Sequence, residues 1–146
     1  MAVLVVLFAS MALFGGLGAL GVDALSTPRD VAAWALAAMF LFTASAHFIG
    51  TRGDLVAMVP RAFPNPGLLV SLTGVLEALG AVGLLIPATR DLAGLCLMLL
   101  LAALLPANVS AARRGVPMRG RAPTPPRLRV SMQILFVGLT WWATQA

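Results

Sequence analysis

Five apolar runs, each long enough to cross a lipid bilayer, are the feature that most constrains this chain. A helix rises about 1.5 Å per residue and the hydrocarbon core is about 30 Å thick, so a span needs about 20 apolar residues. The 146 residues are 60% hydrophobic and 10% charged, whereas a soluble domain carries about 25% charged residues. We therefore predict an all-α fold, a polytopic membrane bundle of five transmembrane helices. The runs are Ala2 to Gly21, Val31 to Gly50, Gly67 to Ile86, Leu92 to Ala112 and Leu128 to Thr144.

The breaks between the runs carry signals for helix ends. Asn65 is a candidate N-cap, Pro66 suits a first helical position, and Pro87 falls just beyond the far end of the third run. Pro106 lies inside the fourth run, where we expect it to kink the helix or loosen its last turn.

The first run could instead be a signal peptide cleaved after Gly21. It lacks a basic start, however, and its apolar part is longer than a signal peptide needs, which favours an uncleaved helix. We accordingly divide the chain into residues 1–30, an N-terminal transmembrane helix with its outer loop, and residues 31–146, a four-helix membrane bundle.

The arginines predict the orientation. All ten basic residues are Arg, which together with the Ala, Gly and Leu bias suggests a bacterial source. If five helices alternate, one side receives only Arg29 and Arg90, so the positive-inside rule puts the N-terminus in the cytoplasm and the C-terminus outside the inner membrane. Trp34, Trp141 and Trp142 then lie at the outer interface, as an aromatic belt requires. The cytoplasmic arginines are Arg52, Arg61, Arg113, Arg114, Arg119, Arg121, Arg127 and Arg129.

One carboxyl group, that of Glu77, falls about 15 Å into the third helix, near the bilayer midplane. An ionised carboxylate is costly there, so it must be protonated, paired or wetted, and this makes Glu77 a functional candidate. His47 comes only about three residues from the cytoplasmic end, about 10 Å from Glu77 in depth, so water or Thr73 would have to connect them. Asn108 and Gln133 come out at a depth similar to that of His47. We predict a polar recess that opens toward the cytoplasm, with Glu77 at its floor.

Each polar residue also has a purely structural interpretation. Intramembrane Asn, Gln, Ser and Thr often only join helices, and a histidine near the interface often meets headgroups or water. Cys96, the single cysteine, excludes an intrachain disulfide and is expected to pack. The arginine-rich loop 113–127 is expected to set the topology and to touch anionic lipid, not nucleic acid. The sequence contains no metal or nucleotide motif.

Several motifs in order resemble the DoxX-like family of small bacterial membrane proteins. They are AHF at 46–48, Gly74-x-x-Glu77 within NPGLLVSLTGVLEALGAVGLLIP, and PANV at 106–109, and the resemblance covers about residues 33–144. It implies a four-helix membrane bundle associated with redox proteins, with His47, Glu77 and Asn108 as the family-type polar positions. The N-terminal helix departs from that pattern.

Two classes of function remain open. The first is a non-catalytic component that binds a lipid or a quinone, or that docks onto a redox membrane complex. Its ligand-binding residues would be Glu77, His47, Thr73, Asn108 and Gln133. The second is an isomerase-like enzyme in which Glu77 and His47 transfer protons on an apolar substrate. A transporter is disfavoured because the sequence has neither an inverted repeat nor paired broken helices.

Overall fold

A computed structural model describes residues 2–118, 120, 122 and 124–145, and the elements in this part of the chain are helices. Two arginines of the predicted cytoplasmic set, Arg119 and Arg121, lie outside the described residues. Single 3-10 turns occupy Asp23–Leu25 and Pro87–Thr89. The α-helices are α1 (Ala2–Ala19), α2 (Pro28–Ala46), α3 (Arg52–Met58), α4 (Pro66–Leu85), α5 (Arg90–Arg113) and α6 (Pro126–Thr144).

Four of the helices form a closed ring, and a fifth lies outside it. α2 packs on α4, α4 on α5, α5 on α6, and α6 returns to α2. The fully buried side chains of Leu36, Phe40, Leu84 and Leu97 belong to one apolar core inside this ring. α1 packs on α2, and its Leu7 is completely buried.

The ends of α2 differ from the predicted run Val31 to Gly50 because both ends are set by polar and turn chemistry. Thr27 and Asp30 form a capping box, in which the Asp30 amide donates to Thr27 Oγ1 at 3.1 Å and the Thr27 amide donates to Asp30 Oδ2 at 3.2 Å. The helix therefore starts at Pro28, three residues before the apolar run. It ends at Ala46, and Gly50 adopts a positive φ of 70° in the turn that follows.

α4 has the predicted boundaries but not the predicted cap. Pro66 is the first residue of α4. Ile86 caps the end of the helix, and Pro87 comes directly after Ile86. Asn65 occupies the N-cap position, yet its side chain makes no capping hydrogen bond. Its ψ of 73° departs from the extended conformation that capping residues adopt. α5 continues through Pro106 to Arg113, so its last turns stay helical.

Two glycines of α4 permit unusually close helix contacts. A Cβ atom at Gly80 would lie 2.6 Å from Leu97 Cγ on α5. A Cβ atom at Gly74 would lie 2.5 Å from His47 Cβ, just after α2. Real Cβ atoms essentially never come this close to other heavy atoms, so a side chain at either position would force a shift. The shift is the harder one at Gly74, because His47 Cβ is attached to the backbone, whereas the end of the Leu97 side chain can move.

The two ends of the bundle differ in chemistry. At the tryptophan end, where Trp141 and Trp142 are exposed, Arg90 Nη1 contacts Asp30 Oδ1 at 2.7 Å. The opposite, arginine end carries α3 and the loops that precede α4 and α6. There Arg114 Nη2 donates to the carbonyl of Met58 at 2.6 Å. This hydrogen bond joins the loop after α5 to the end of α3.

By length and composition, three helical stretches could cross a membrane: Ala2–Ala19, Pro66–Leu85 and Pro87–Arg113. α2 and α6 are of similar length but begin with charged and polar residues. All five long helices nevertheless pack against one another.

Candidate functional site

Glu77 lies inside the bundle and is paired with the only histidine of the chain. The residue is 7% exposed, and its Oε2 atom lies 3.4 Å from His47 Nε2. The side chain of His47 is itself only 12% exposed. Of the three ways in which an intramembrane carboxyl group can be accommodated, this structure therefore uses pairing.

The expected difference of about 10 Å in depth between the two residues was wrong. That estimate assumed that α2 and α4 end at the same level. In the structure α2 stops at Ala46, and His47 packs against Gly74, eight residues into α4 and one turn from Glu77. The connecting segment 47–65 contains α3, which packs on α4. No intermediate group is needed between His47 and Glu77.

The other ring nitrogen of His47 fixes the tautomer. Nδ1 lies 2.7 Å from the carbonyl oxygen of Val70, which can only accept, so Nδ1 carries a proton. Thr73 Oγ1 is 3.3 Å from the same nitrogen, and its hydroxyl donates to the carbonyl of Leu69 at 2.9 Å. Thr73 therefore supports the imidazole from the side, as a second acceptor.

Because Nδ1 is protonated, an attractive contact between Nε2 and the Glu77 carboxyl group needs one further proton on one of the two groups. It resides either on Nε2, giving an imidazolium beside a carboxylate, or on Glu77, giving a neutral acid beside a neutral ring. Both forms carry no net charge, which suits an apolar interior. At 3.4 Å the contact is long, and Oε2 has no hydrogen-bond partner although it is buried. Oε2 therefore has a charge-pair contact with His47 but no hydrogen bond.

Arg52 holds the backbone around the pair. Its Nη1 donates to the carbonyl of His47 at 3.0 Å, and its Nη2 donates to the carbonyl of Gly67 at 3.1 Å. One guanidinium thus joins the end of α2 to the first turn of α4. Thr51, which is 4% exposed, donates to the carbonyl of Ala46 at 3.0 Å and closes the last turn of α2. Sequence reasoning assigned Arg52 only to the topology, and no motif indicated this second role.

The remaining predicted site residues lie elsewhere. Asn108 accepts from Arg129 Nη1 at 3.4 Å, and Gln133 donates to the carbonyl of Leu101, so both join α5 to α6. They do not converge on the His47–Glu77 pair. The structural interpretation, in which intramembrane amides join neighbouring helices, describes them better.

Two concavities open at the ends of the bundle in the described part of the chain, and both differ from the predicted recess with Glu77 at its floor. One concavity of about 410 Å³ lies at the arginine end, between α3 and Arg114, and another of about 660 Å³ lies at the tryptophan end, beside Asp30 and Arg90. Neither is lined by His47 or Glu77. Gly74 lets α2 pack so closely on α4 that the pair is closed over. Among the described residues, no group of three or more His, Cys, Asp or Glu could hold a metal ion.

Comparison with known proteins gives a family but no activity. The family model of a domain of unknown function, DUF8561, matches residues 36–144, about three quarters of the chain. The matched region contains the whole ring of four helices except the first turns of α2, and it leaves out α1. No curated protein and no solved structure matches the chain. The chain belongs to the DUF8561 family.

Proposed function

We propose that this protein is a small multi-pass membrane protein that binds the polar end of a lipophilic molecule, a quinone or a similar lipid, at the His47–Glu77 pair. The observation that carries the proposal is the buried, unsatisfied Oε2 atom of Glu77 beside His47 Nε2. An unsatisfied buried polar atom costs about 1–3 kcal/mol. A ligand that supplies the missing partner recovers that free energy.

The chemistry of the pair suits a quinone head group. With one shared proton, one of the two facing atoms can donate and the other can accept. A quinone carbonyl would accept from protonated Nε2 or from the neutral acid, and a quinol hydroxyl would donate to Oε2. The same pair therefore accommodates both redox states of the ligand, which fits an accessory component of a redox membrane complex.

Access to the pair would come from the lipid side through Phe48. This ring is 49% exposed, and its Cε2 atom would lie 3.0 Å from a Cβ placed on Gly74, so it covers the α2–α4 contact at the level of His47. On α4, Leu72 and Leu76 precede Thr73 and Glu77 and are 50% and 45% exposed. A lipophile that displaces the Phe48 side chain would remain in contact with apolar surface while its head reaches the pair.

The membrane arrangement is part of the same proposal. All five long helices cross the bacterial inner membrane, with the arginine end in the cytoplasm and the C-terminus outside. The packing of α2 and α6 against two helices apolar enough to span supports it, as does the positive-inside rule. We also propose kinship with DoxX-like proteins, on the motifs around His47 and Glu77.

Ligand binding can be tested by titrating the purified protein in detergent micelles with decylubiquinone and decylubiquinol, followed by calorimetry. We expect Glu77→Gln to weaken binding about tenfold or more, because it removes the shared proton while keeping the shape. Ser45→Ala is the matched control, since its hydroxyl bonds only within α2, to the carbonyl of Phe42. Wild-type affinity in Glu77→Gln at every pH would refute the proposal.

An isomerase-like enzyme is the second candidate, and the shared proton favours it. A buried acid and a histidine that hold one proton between them can deliver it to one carbon of an apolar substrate and remove another. If Glu77→Gln abolishes turnover of a substrate but leaves its binding intact, the protein is an enzyme and not a binding component. If both are lost together, the binding interpretation stands.

A further inference from the structure

We infer that the concavity at the arginine end is a binding site for one anionic phospholipid, whose phosphate lies between Arg61 and Arg114. The concavity has a volume of about 410 Å³, within the range of about 300–1,000 Å³ that ligand sites occupy. It is separate from the His47–Glu77 pair. The inference rests on the membrane location proposed above but not on the ligand of that pair. The lining is Val56, Ala57, Val59, Pro60, Arg61, Phe63, Pro66 and Arg114.

Arg114 supplies a positioned guanidinium at the rim. Its Nη2 donates to the carbonyl of Met58 at 2.6 Å and its Nη1 to the carbonyl of Ala57 at 3.4 Å, which fixes the side chain against the end of α3. A guanidinium has five N–H donors, so three remain for a phosphate. Arg61 is exposed and lines the same concavity. Two guanidinium groups facing one space provide the usual recognition of a phosphate.

The charged residues around the concavity are almost all positive. Residues 47–65 and 113–127, the two loops of this end, contain seven arginines and a single carboxylate, Asp54. The potential there favours an anion. A zwitterionic lipid would place its ammonium against the same arginines, which disfavours it.

The apolar part of the lining identifies a lipid as the occupant. Val56, Val59 and Phe63 line the concavity together with Arg61, and Phe63 is 50% exposed. Pro66, also in the lining, is the first residue of α4, so the concavity opens where a transmembrane helix begins, at headgroup level. Free phosphate would gain nothing from these apolar walls, whereas the glycerol and upper acyl carbons of a phospholipid would contact them.

Native mass spectrometry can count the lipid. The purified protein is released from micelles doped with phosphatidylglycerol or with phosphatidylcholine, and the bound fraction is measured across lipid concentrations. We expect one retained phosphatidylglycerol, about tenfold weaker retention in Arg61→Gln, and no comparable phosphatidylcholine adduct. Phe63→Ser removes the apolar wall without changing the charge and should also weaken retention.

Arg127→Gln is the matched control. Arg127 is exposed at the same end, in the first turn of α6, but it does not line the concavity. The variant loses the same single charge, so general attraction to an anionic surface predicts equal effects for both arginine variants. The site predicts that Arg127→Gln stays within about twofold of wild type at moderate salt. Equal loss in the two variants, or wild-type retention in Arg61→Gln, would overturn the inference.

Two further outcomes are decisive. Displacement of the lipid by millimolar inorganic phosphate alone would identify free phosphate as the ligand and reject the lipid. Extraction of the protein from membranes by alkaline carbonate would instead refute the membrane location itself, so the two failures can be told apart. The unfolding midpoint of Arg61→Gln, expected to equal that of wild type because Arg61 is exposed, shows that lost binding is not lost folding.

Discussion

The substitution Gly74→Ala tests how the His47–Glu77 pair is held together. The new Cβ atom would lie 2.5 Å from His47 Cβ, 2.8 Å from His47 Cγ and 3.0 Å from Phe48 Cε2, where ordinary contact begins at 3.4 Å. His47 Cβ is fixed to the backbone, so a rotamer change cannot relieve the overlap. The segment after α2 must withdraw from α4 by about 1 Å.

This movement acts on the pair directly. The imidazole moves with its backbone, and the 3.4 Å contact between Nε2 and Oε2 opens past about 4 Å, the limit for an ion pair. Overpacking of this kind costs about 1–3 kcal/mol in free energy of unfolding. Alanine in place of glycine inside a helix returns about 1 kcal/mol. The net change is a loss of about 0–2 kcal/mol.

Gly138→Ala is the control that separates the cost of overpacking from the gain in helix propensity. Gly138 lies in α6, and a Cβ atom placed there meets nothing within 4 Å, so only the helix-propensity gain of about 1 kcal/mol applies. The difference between the two variants should therefore be about 1–3 kcal/mol. Unfolding by sodium dodecyl sulfate in mixed micelles, followed by tryptophan fluorescence, measures it. Gly74→Ala as stable as Gly138→Ala, with unchanged ligand binding, would refute the close contact.

Three other outcomes follow from the structure. The hydrogen bond from Thr27 and the charge of Arg90 hold the pKa of Asp30 below its usual 3.8. Ionised Asp30 thus stabilises the fold at pH values above 3.8. This stabilisation is lost as the pH falls through the pKa that Asp30 has in the folded protein. The unfolding midpoint of wild type should exceed that of Asp30→Asn at pH 6, and the difference should shrink only as the pH falls below 3.8. Gly94→Ala should loosen α5 from α6, because its Cβ would lie 2.7 Å from Thr144 Cγ2. In the double variant, Thr144→Ala should recover only part of the lost stability, because residue 144 keeps its Cβ atom, which lies 2.8 Å from the new one; additive losses would contradict this contact. A periplasm-active reporter fused to the C-terminus should be active, and cytoplasmic activity alone would refute the orientation.

The sequence predicted the long helices because their apolar runs and prolines are local signals. α4 begins at Pro66 and ends just before Pro87, as predicted from proline geometry. α3 was missed because seven residues are too short for a detectable period. The start of α2 was missed because the capping box of Thr27 and Asp30 is polar and precedes the apolar run.

The sequence singled out Glu77 and His47 as candidates, but not the geometry that brings them together. Glu77 was singled out by its cost in an apolar run, and this argument needs no structure. Its direct contact with His47 depends on the relative levels of α2 and α4, which Gly74 and Arg52 set through long-range packing. Asn108 and Gln133 were grouped with Glu77 by depth alone. Depth does not specify which neighbour a helix face meets, and both side chains face the α5–α6 contact.

The single histidine of the chain offers the most direct test of the central claim. In protein labelled with ¹⁵N-histidine, the imidazole spectrum contains one pair of ring signals, both from His47. Nδ1 should give the protonated signal expected from its 2.7 Å hydrogen bond to Val70. Decylubiquinone should shift the Nε2 signal, leave Nδ1 nearly unchanged, and have no such effect in Glu77→Gln. An Nε2 signal that does not move at saturating decylubiquinone, or moves equally in Glu77→Gln, would contradict the assignment of the pair as the ligand site.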